Sequence, residues 1–252
     1  MKKGCRYGTH RVISPVGTLP QPAQKLDNTM RIYDNEILID VETLNIDSAS
    51  YTQIRESCGA DGECMKRVIM DIVEERGKMQ NPVTGSGGML IGTVREIGPN
   101  YPDQGLKVGD KIATLVSLSL TPLKIKKIKH LDPRSDQVDV DAEAILFESG
   151  LYAVLPGDIP EKLALAVLDV AGAPAQVDRL VKEGDTVCII GGGGKSGVLC
   201  CYQAMKNVGP YGKVIVVEYS KENARRIEQM KLATHVIVAD ATQVMDVYRK
   251  VT

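Results

Sequence analysis

The pattern of apolar and polar residues changes near residue 160, and the change predicts two domains. Before that point, short segments such as Ile37–Glu42 alternate apolar and polar positions, as half-buried strands do. Met89–Ile97 and Lys111–Leu118 read as further strands, and turns rich in glycine, proline, asparagine and aspartate separate them. Residues 1–158 are therefore expected to form a β-rich domain.

One segment inside this region has helical spacing instead. Apolar residues recur at intervals of three and four from Met65 to Val73, which predicts a helix over residues 61–76 that ends at Gly77. Such an inserted helix either covers part of the β-rich domain or forms a lid over a substrate pocket. The sequence leaves both interpretations open.

Residues 159–252 alternate wholly apolar runs with helical segments. Strands are predicted at 186–190, 214–218 and 235–239, and helices at 163–181, 195–208, 221–230 and from about 243. Gly172 and Pro174 are expected to break the first of these helices. The pattern predicts a parallel βαβαβ unit with strands buried on both faces. A doubly wound dinucleotide-binding sheet has two such halves, so we expect this sheet either to be truncated at its C-terminal end or to be completed by another chain.

Composition excludes some functions without choosing one. The 252 residues have a formal net charge of −1, so nothing predicts nucleic-acid binding. No apolar stretch approaches the roughly 20 residues of a membrane-spanning helix. Without a signal peptide, we expect a cytoplasmic protein whose six cysteines are reduced. Cys58 and Cys64 are candidates for pairing or for a metal site, which two sulfur ligands would leave incomplete.

A run of glycines follows the predicted strand at 186–190 and is the most informative motif of the chain. A P-loop would require a glycine where Ile189 stands. The dinucleotide fingerprint Gly-x-Gly-x-x-Gly is met by Gly192, Gly194 and Gly197, which permit a tight turn, close approach of a pyrophosphate and helix packing. A glycine turn that binds no cofactor is the remaining interpretation.

Glu218 ends the next predicted strand and favours NAD as the cofactor. A carboxylate at this position accepts hydrogen bonds from the adenosine ribose and repels the 2′-phosphate of NADP. Lys221 lies close by, so NADP remains possible. The candidate cofactor-binding residues are Gly191, Gly192, Gly193, Gly194, Lys195, Ser196, Gly197, Glu218, Tyr219 and Lys221.

These features resemble the medium-chain dehydrogenase/reductase superfamily over nearly the whole chain. The resemblance is carried by Glu36–Asn45, Leu90–Gly98, Leu106–Ala113, Val181–Val187 and Lys231–Ile237. It implies an α/β fold in which a GroES-like β-rich domain precedes a Rossmann domain with a doubly wound parallel sheet, and it implies a homo-oligomer. The zinc ligands of the superfamily would fall at Asn45, Gly88 and Ala166, so no metal site is expected.

Two unusual blocks narrow the resemblance. Gly77–Leu90 and Ala113–Leu123 are similar to a zinc-free family of the superfamily, the L-erythro-3,5-diaminohexanoate dehydrogenases of lysine fermentation. The resemblance implies a small amino acid substrate and NAD-dependent oxidative deamination at C3, with 5-amino-3-oxohexanoate and ammonia as products. A zinc-independent NADPH quinone or enone reductase and a non-catalytic nucleotide-binding protein are the alternatives.

Oxidation of an amine requires a base that removes a proton from the substrate. It also requires charged or polar groups that bind the substrate. Asp47 is the candidate base, and a turn-initiating aspartate is the alternative. Asp169 lies among apolar residues, which indicates either a catalytic role or a salt bridge. Lys78 is a candidate for proton transfer or for binding a carboxylate, unless it is simply exposed. The candidate substrate-binding residues are Asn45, Arg55, Thr84, Ser86 and Glu148.

Overall fold

The computed structural model describes residues 2–102 and 105–251, and the chain divides after Leu165 into two compact units. The strands of the first unit are β1 (Val12–Ser14), β2 (Lys25–Leu26), β3 (Glu36–Ile46), β4 (Gly88–Ile97), β5 (Lys111–Thr114), β6 (Leu123–Leu131), β7 (Gln137–Phe147) and β8 (Tyr152–Val154). Six of them form an antiparallel sheet in the order β6-β7-β3-β4-β5-β8, while β1 pairs with β2. The predicted β-rich region is therefore an antiparallel domain.

The helices of the first unit are α1 (Ser48–Ser57) and α2 (Gly62–Arg76), and α3 (Glu161–Leu168) runs across the division between the units. The domain boundary predicted after residue 158 falls just before the first turn of α3. Helix α1 did not stand out in the sequence, because only Tyr51 and Ile54 form its apolar face. Among the described helices, none has the length and apolar character that crossing a bilayer requires.

Helix α2 confirms the predicted helix and its end. The Asp61 carboxylate caps its first turn by accepting from the Glu63 N–H at 3.0 Å. Gly77 ends it with a φ of 68°, and a side chain there would also meet the carbonyl oxygen of Leu26. Met65 and Ile69 are fully buried in the same core as the central strand β3. This packing favours the covering role of the helix over that of a lid.

The expectation of reduced cysteines is wrong for Cys58 and Cys64, which form a disulfide. Gly59 and Ala60 both adopt positive φ angles, so the chain reverses tightly between α1 and α2. The reversal brings the two Cα atoms to 5.7 Å, within the range that a disulfide spans. The bridge ties the end of α1 to the start of α2.

Strand β6 lies at one edge of the six-stranded sheet and has an irregular pattern. Its register shifts twice against β7, so that apolar residues are buried at unequal intervals. The exposed positions between them carry the lysines Lys124, Lys126, Lys127 and Lys129. The outer edge of the sheet is therefore strongly basic, although Lys126 also contacts Glu143 of β7 at 3.3 Å.

The second unit is built on a parallel sheet, as the sequence predicts. Its elements are α4 (Gly172–Leu180), β9 (Thr186–Ile190), α5 (Lys195–Val208), β10 (Lys213–Glu218), α6 (Lys221–Gln229), β11 (His235–Val238) and α7 (Val244–Val251). The strand order β11-β10-β9 is that of one half of a doubly wound sheet. The predicted long helix is broken before Gly172, as expected.

Burial on both faces was expected for all three parallel strands, but it holds for β10 alone. Every residue of β10 after Lys213 is buried, whereas β9 alternates between exposed and half-buried positions. The reason is position in the sheet, because β9 and β11 flank β10 on its two sides within the described residues.

Candidate active site and cofactor site

The glycine run forms the connection between β9 and α5. Gly191 follows the strand with a φ of 78°, and its N–H donates to the Val217 carbonyl at 2.8 Å. Gly194 is the N-cap of the 14-residue helix α5. The first N–H groups of a helix have no partner within it, and with the helix dipole they attract anions. The loop thus presents backbone donors at the carboxyl end of β9.

Three of the glycines are required by close packing. A Cβ at Gly192 would lie 2.5 Å from the Val216 side chain, and one at Gly193 would lie 2.4 Å from that of Asn223. A Cβ at Gly197 would lie 2.4 Å from the carbonyl oxygen of Gly191. No side chain fits at these positions unless the backbone or a packed neighbour moves.

Gly194 differs from the other glycines of the loop because the fold does not explain it. Its φ of −79° suits any residue, and a Cβ there would meet nothing within 4 Å. Close approach of a ligand to the backbone explains a glycine at such a position. The loop therefore fits the pyrophosphate of a dinucleotide.

Glu218 is held against this loop at the end of β10. Its Oε2 accepts from the Gly193 N–H at 2.7 Å, and its Oε1 accepts from the Ser220 N–H at 3.0 Å. The carboxylate is buried and fixed in orientation by two backbone donors. Tyr219 and Lys221 follow it with exposed side chains, and Lys221 begins α6.

Asp169 and Lys195 meet in the second unit. Their side chains approach to 3.5 Å between Asp169 Oδ2 and Lys195 Nζ. The salt bridge that the sequence left as one interpretation of Asp169 is thus present. The salt bridge connects Asp169, which follows α3, to Lys195, the first residue of α5. Ser196 is the next residue of that first turn.

A line of hydroxyl groups ends on Asp47 in the first unit. Ser50 Oγ lies 2.6 Å from both Thr84 Oγ1 and Ser86 Oγ, and Ser86 Oγ donates to Asp47 Oδ1 at 3.0 Å. Thr84 Oγ1 and Ser86 Oγ also lie 3.2 Å from each other, which is a longer contact than either one with Ser50. We call these four residues, Thr84, Ser50, Ser86 and Asp47, the hydroxyl chain. Three of them were candidates from the sequence, whereas Ser50 was not, since its only signal is a place in the first turn after a capping aspartate.

Two local structures hold the hydroxyl chain together. Asp47 is the N-cap of α1, and its Oδ1 also accepts from the Ala49 N–H at 3.0 Å. Asn81 shapes the turn before Ser86 by accepting from the Val83 N–H, and its own amide group donates to Gln53 Oε1 of α1 at 2.8 Å. The turn and the helix are thereby locked together.

Asn45 provides a second polar feature two residues before Asp47. It is fully buried in β3, and neither atom of its side-chain amide has a hydrogen-bond partner in the part of the chain that the structure describes. Gly88 lies against it so closely that a Cβ would be 1.9 Å from the Asn45 carbonyl oxygen. An unpaired buried amide costs about 1–3 kcal/mol, so it indicates a polar group that a ligand or water completes.

Lys78 is fully buried, unlike the exposed lysine that the sequence allowed. Its Nζ donates to the carbonyl oxygens of Pro20 at 2.7 Å and Gln21 at 3.0 Å. Burial, together with a smaller effect from the nearby charge of Arg76, lowers the pKa of Lys78 to about 7. Lys78 therefore fastens the residues after α2 to the N-terminal segment.

Glu148 and Arg55 make no hydrogen bond to the hydroxyl chain among the described residues. Glu148 Oε2 accepts from Asn35 Nδ2 at 2.8 Å, and Arg6 lies 3.9 Å from its other oxygen. Arg55 is half-buried in the last turn of α1.

Comparison with known proteins decides the family. The model of the L-erythro-3,5-diaminohexanoate dehydrogenase N-terminal domain matches residues 10–156, more than half of the chain. The chain belongs to this family.

Two dehydrogenases of this name extend the match to the second unit. The L-erythro-3,5-diaminohexanoate dehydrogenase of Fusobacterium nucleatum is 62% identical over 253 aligned residues, covering 100% of this chain and 73% of the relative. That of Acetoanaerobium sticklandii is 58% identical over 240 residues, covering 95% of this chain and 70% of the relative. The chain is thus a dehydrogenase, an oxidoreductase that uses a nicotinamide cofactor.

Solved structures confirm the fold of this dehydrogenase. A mycobacterial quinone oxidoreductase is 19% identical, with a TM-score of 0.51 and 92% of this chain covered. A mycobacterial protein solved with NADPH is also 19% identical, with a TM-score of 0.52. The chain spans 59% and 60% of these two structures. At this identity the likeness shows the medium-chain dehydrogenase/reductase fold alone.

Proposed function

We propose that the chain catalyses NAD-dependent oxidative deamination of L-erythro-3,5-diaminohexanoate to 5-amino-3-oxohexanoate and ammonia, a step of lysine fermentation. The observation that carries the proposal is 62% identity to a dehydrogenase of that name across the entire chain. Quinone reduction is the alternative, but the quinone oxidoreductase that shares this fold is only 19% identical, so it shows the fold and not the activity.

Asp47 is the proposed base. The substrate enters as an ammonium ion, and this group must lose a proton before C3 can give up a hydride. Asp47 Oδ1 is occupied by the Ala49 N–H and the Ser86 hydroxyl, whereas Oδ2 has no hydrogen-bond partner in the described part of the chain. The carboxylate is thus held with one oxygen available for the substrate ammonium. A bound nicotinamide cofactor would supply the acceptor for the hydride of C3.

Asn45 and Arg55 are the proposed substrate-binding residues that accompany Asp47. The unpaired amide of Asn45 can donate to and accept from a polar substrate group. Arg55 is the cation of α1 and can pair with the substrate carboxylate. Thr84 and Ser86 act through Asp47, because their hydroxyls are engaged in the hydroxyl chain.

We assign supporting roles to the other candidates. Lys78 and Glu148 hold the N-terminal segment, through the carbonyl groups of Pro20 and Gln21 and through Asn35, respectively. Asp169 orients Lys195 at the start of α5. None of the three is proposed to touch the substrate.

The preference for NAD over NADP rests on Glu218. Two backbone N–H groups fix its carboxylate beside the glycine loop, where it can accept from ribose hydroxyls and where it would repel a 2′-phosphate. Gly191–Gly194, Lys195, Ser196 and Gly197 are the proposed pyrophosphate contacts. Tyr219 and Lys221 complete the proposed adenosine side of the site.

The test is formation of NADH, followed by absorbance, when the purified protein is given 3,5-diaminohexanoate. Parallel assays use NADP with the diamine, NAD with a simple alcohol, and NADPH with a quinone. We expect activity with the diamine and a preference for NAD. Turnover of the quinone without turnover of the diamine would replace the proposal by its alternative. A cytoplasmic location and a homo-oligomeric state are further proposals, and light scattering on the same preparation tests the second.

A further inference from the structure

The hydroxyl chain has a direction that follows from its donors and acceptors. A carboxylate accepts only, so at 3.0 Å Ser86 donates to Asp47 Oδ1. The single proton of Ser86 is then engaged, so at 2.6 Å Ser50 donates to Ser86. By the same reasoning Thr84 donates to Ser50 at 2.6 Å. In the structure each hydroxyl therefore donates its hydrogen bond toward the carboxylate.

The two ends of the hydroxyl chain have different environments. Ser50, in the middle, is fully buried, whereas Thr84 at the outer end is exposed. Asp47 is half-buried, and the oxygen that receives the chain is not the one left for the substrate. A substrate bound at Oδ2 displaces water from that side of the carboxylate, while the side that leads through Ser86 stays connected to solvent.

We propose that Ser86, Ser50 and Thr84 relay the proton that Asp47 takes from the substrate amine to solvent. The proposal rests on the proposed function, in which the diamine, NAD⁺ and water give the oxo acid, ammonium, NADH and one net proton. Before this transfer the carboxyl group of protonated Asp47 turns its O–H toward Ser86, and the three hydroxyl groups rotate so that each donates away from Asp47. When Asp47 then donates to Ser86, each hydroxyl passes its own proton to the next and Thr84 releases one to water, which leaves the hydroxyl chain in the direction seen in the structure.

A purely structural role makes different predictions. In that case the hydroxyl groups only fasten the turn at residues 81–86 to α1, and removing one changes stability or substrate affinity. A relay acts on the rate of proton transfer, so removing a hydroxyl changes kcat and the solvent isotope effect while KM stays nearly constant.

The experiment compares Thr84→Val, which removes the outer hydroxyl and keeps the shape, with Thr84→Ser, which keeps the hydroxyl. Ser50→Ala removes the middle hydroxyl and leaves only the longer contact of 3.2 Å between Thr84 and Ser86. Ser57→Ala is the matched control, because Ser57 is an exposed serine of the same helix that bonds only to the Ile54 carbonyl. For each variant, kcat, KM and the solvent deuterium isotope effect on diamine oxidation are measured from pH 6 to pH 10, with urea unfolding as the stability control.

We expect Thr84→Val and Ser50→Ala to lower kcat by about tenfold, less than loss of a base itself, which costs roughly 10²–10⁴-fold. Their solvent isotope effect should rise, and small buffer bases should restore part of the rate. Thr84→Ser should restore most of the kcat that Thr84→Val loses, together with its solvent isotope effect, and Ser57→Ala should resemble the wild type.

Several outcomes would overturn the relay. If the wild type is active and both hydroxyl-deleting variants keep its kcat and isotope effect, the relay is wrong and the proposed function stands. Equal losses in Thr84→Val and Thr84→Ser would show a structural role instead. A wild type that does not oxidise the diamine removes the proposed function, and the relay with it. If Ser50→Ala does not fold, the comparison of Thr84→Val with Thr84→Ser tests the relay by itself, because Thr84 is exposed.

Discussion

The glycine loop of the second unit consists of backbone groups, whereas the hydroxyl chain of the first unit consists of side-chain groups. The loop consists of consecutive glycines, Gly191–Gly194, that lead into the N–H groups of the first turn of α5, and its fit to a ligand depends on the absence of side chains. The hydroxyl chain joins side chains that are 34 to 39 positions apart in sequence. A backbone site fails when a Cβ is added, whereas a side-chain site fails when one oxygen is removed.

The two sites also differ in how they hold their carboxylate. Glu218 is fixed by an N–H group of the loop and by one of the turn that follows β10, so both donors belong to the proposed cofactor site itself. Asp47 is fixed by the first turn of α1 and by a distant turn that carries Ser86. The comparison teaches that the cofactor site is local, while the proposed catalytic site depends on the packing of the whole first unit.

The largest effect is expected from Asp47→Asn. Loss of a base lowers kcat/KM by roughly 10²–10⁴-fold. Asparagine caps helices as well as aspartate does, so the free energy of unfolding should change by less than about 0.5 kcal/mol. Steady-state kinetics and urea unfolding measure the two quantities.

Asp61→Asn is the matched control for this change, because Asp61 caps α2 in the same way. It should leave kcat/KM unchanged. Equal losses of activity in the two variants would mean that Asp47 acts as a cap alone.

The pH dependence of the free energy of unfolding tests whether the buried Lys78 side chain is neutral in the folded protein. Lys78 has a pKa of about 7 in the folded protein and its ordinary pKa of 10.5 when unfolded. Between these values the unfolded chain binds a proton that the folded chain does not. The free energy of unfolding should therefore rise with pH from about 7 to about 10.5, by roughly 1.4 kcal/mol per pH unit, and should lose this dependence below pH 7.

Lys78→Met should flatten the slope in urea unfolding series from pH 6 to pH 10. Lys213→Met, which removes an exposed lysine of β10, should leave it unchanged. A slope that persists in Lys78→Met would assign the pH dependence to other groups.

Gly194→Ala and Gly197→Ala separate binding from folding in the glycine loop. A Cβ at Gly194 enters the space left for pyrophosphate, so the Kd for NAD should rise by at least about tenfold, or roughly 1.4 kcal/mol. Its stability cost is the poorer N-cap, at most about 1 kcal/mol. At Gly197 the Cβ meets backbone, and the stability loss should be about 1–3 kcal/mol.

Calorimetry for binding and urea unfolding for stability measure both variants. If Gly194→Ala bound NAD like the wild type, the space beside Gly194 would not be where the pyrophosphate lies.

The smallest effect is expected from Glu218→Gln. Removing the charge that opposes the 2′-phosphate should lower the preference for NAD over NADP by roughly tenfold, or about 1.4 kcal/mol. Glu222→Gln, an exposed position in the first turn of α6, should not change it. The measurement is the ratio of kcat/KM with the two cofactors.

The strands and helices of the second unit could be predicted from the sequence almost completely, because each is marked by residues that are close together along the chain. Apolar runs of four residues mark β9 and β10, and the glycine fingerprint lies between a strand and a helix. Only burial was overestimated, because the position of β9 within the sheet depends on neighbours that the segment itself does not specify.

The first unit was less predictable for physical reasons. Two register shifts break the alternation of β6, so its apolar residues do not follow a period of two. Helix α1 has a thin apolar face, and the Asp47 cap was its clearest signal. The disulfide depends on two left-handed residues, Gly59 and Ala60, which no propensity of alanine predicts. Ser50 became a candidate only when tertiary structure placed it between Thr84 and Ser86.

The lysines along β6 have a consequence for assembly. Unpaired backbone groups at the border of a sheet attract another strand, and neighbouring ammonium groups oppose this. A second copy that approached along β6 would set one row of positive charge against another. The lysines of β6 therefore oppose extension of this sheet by the same strand of a second copy.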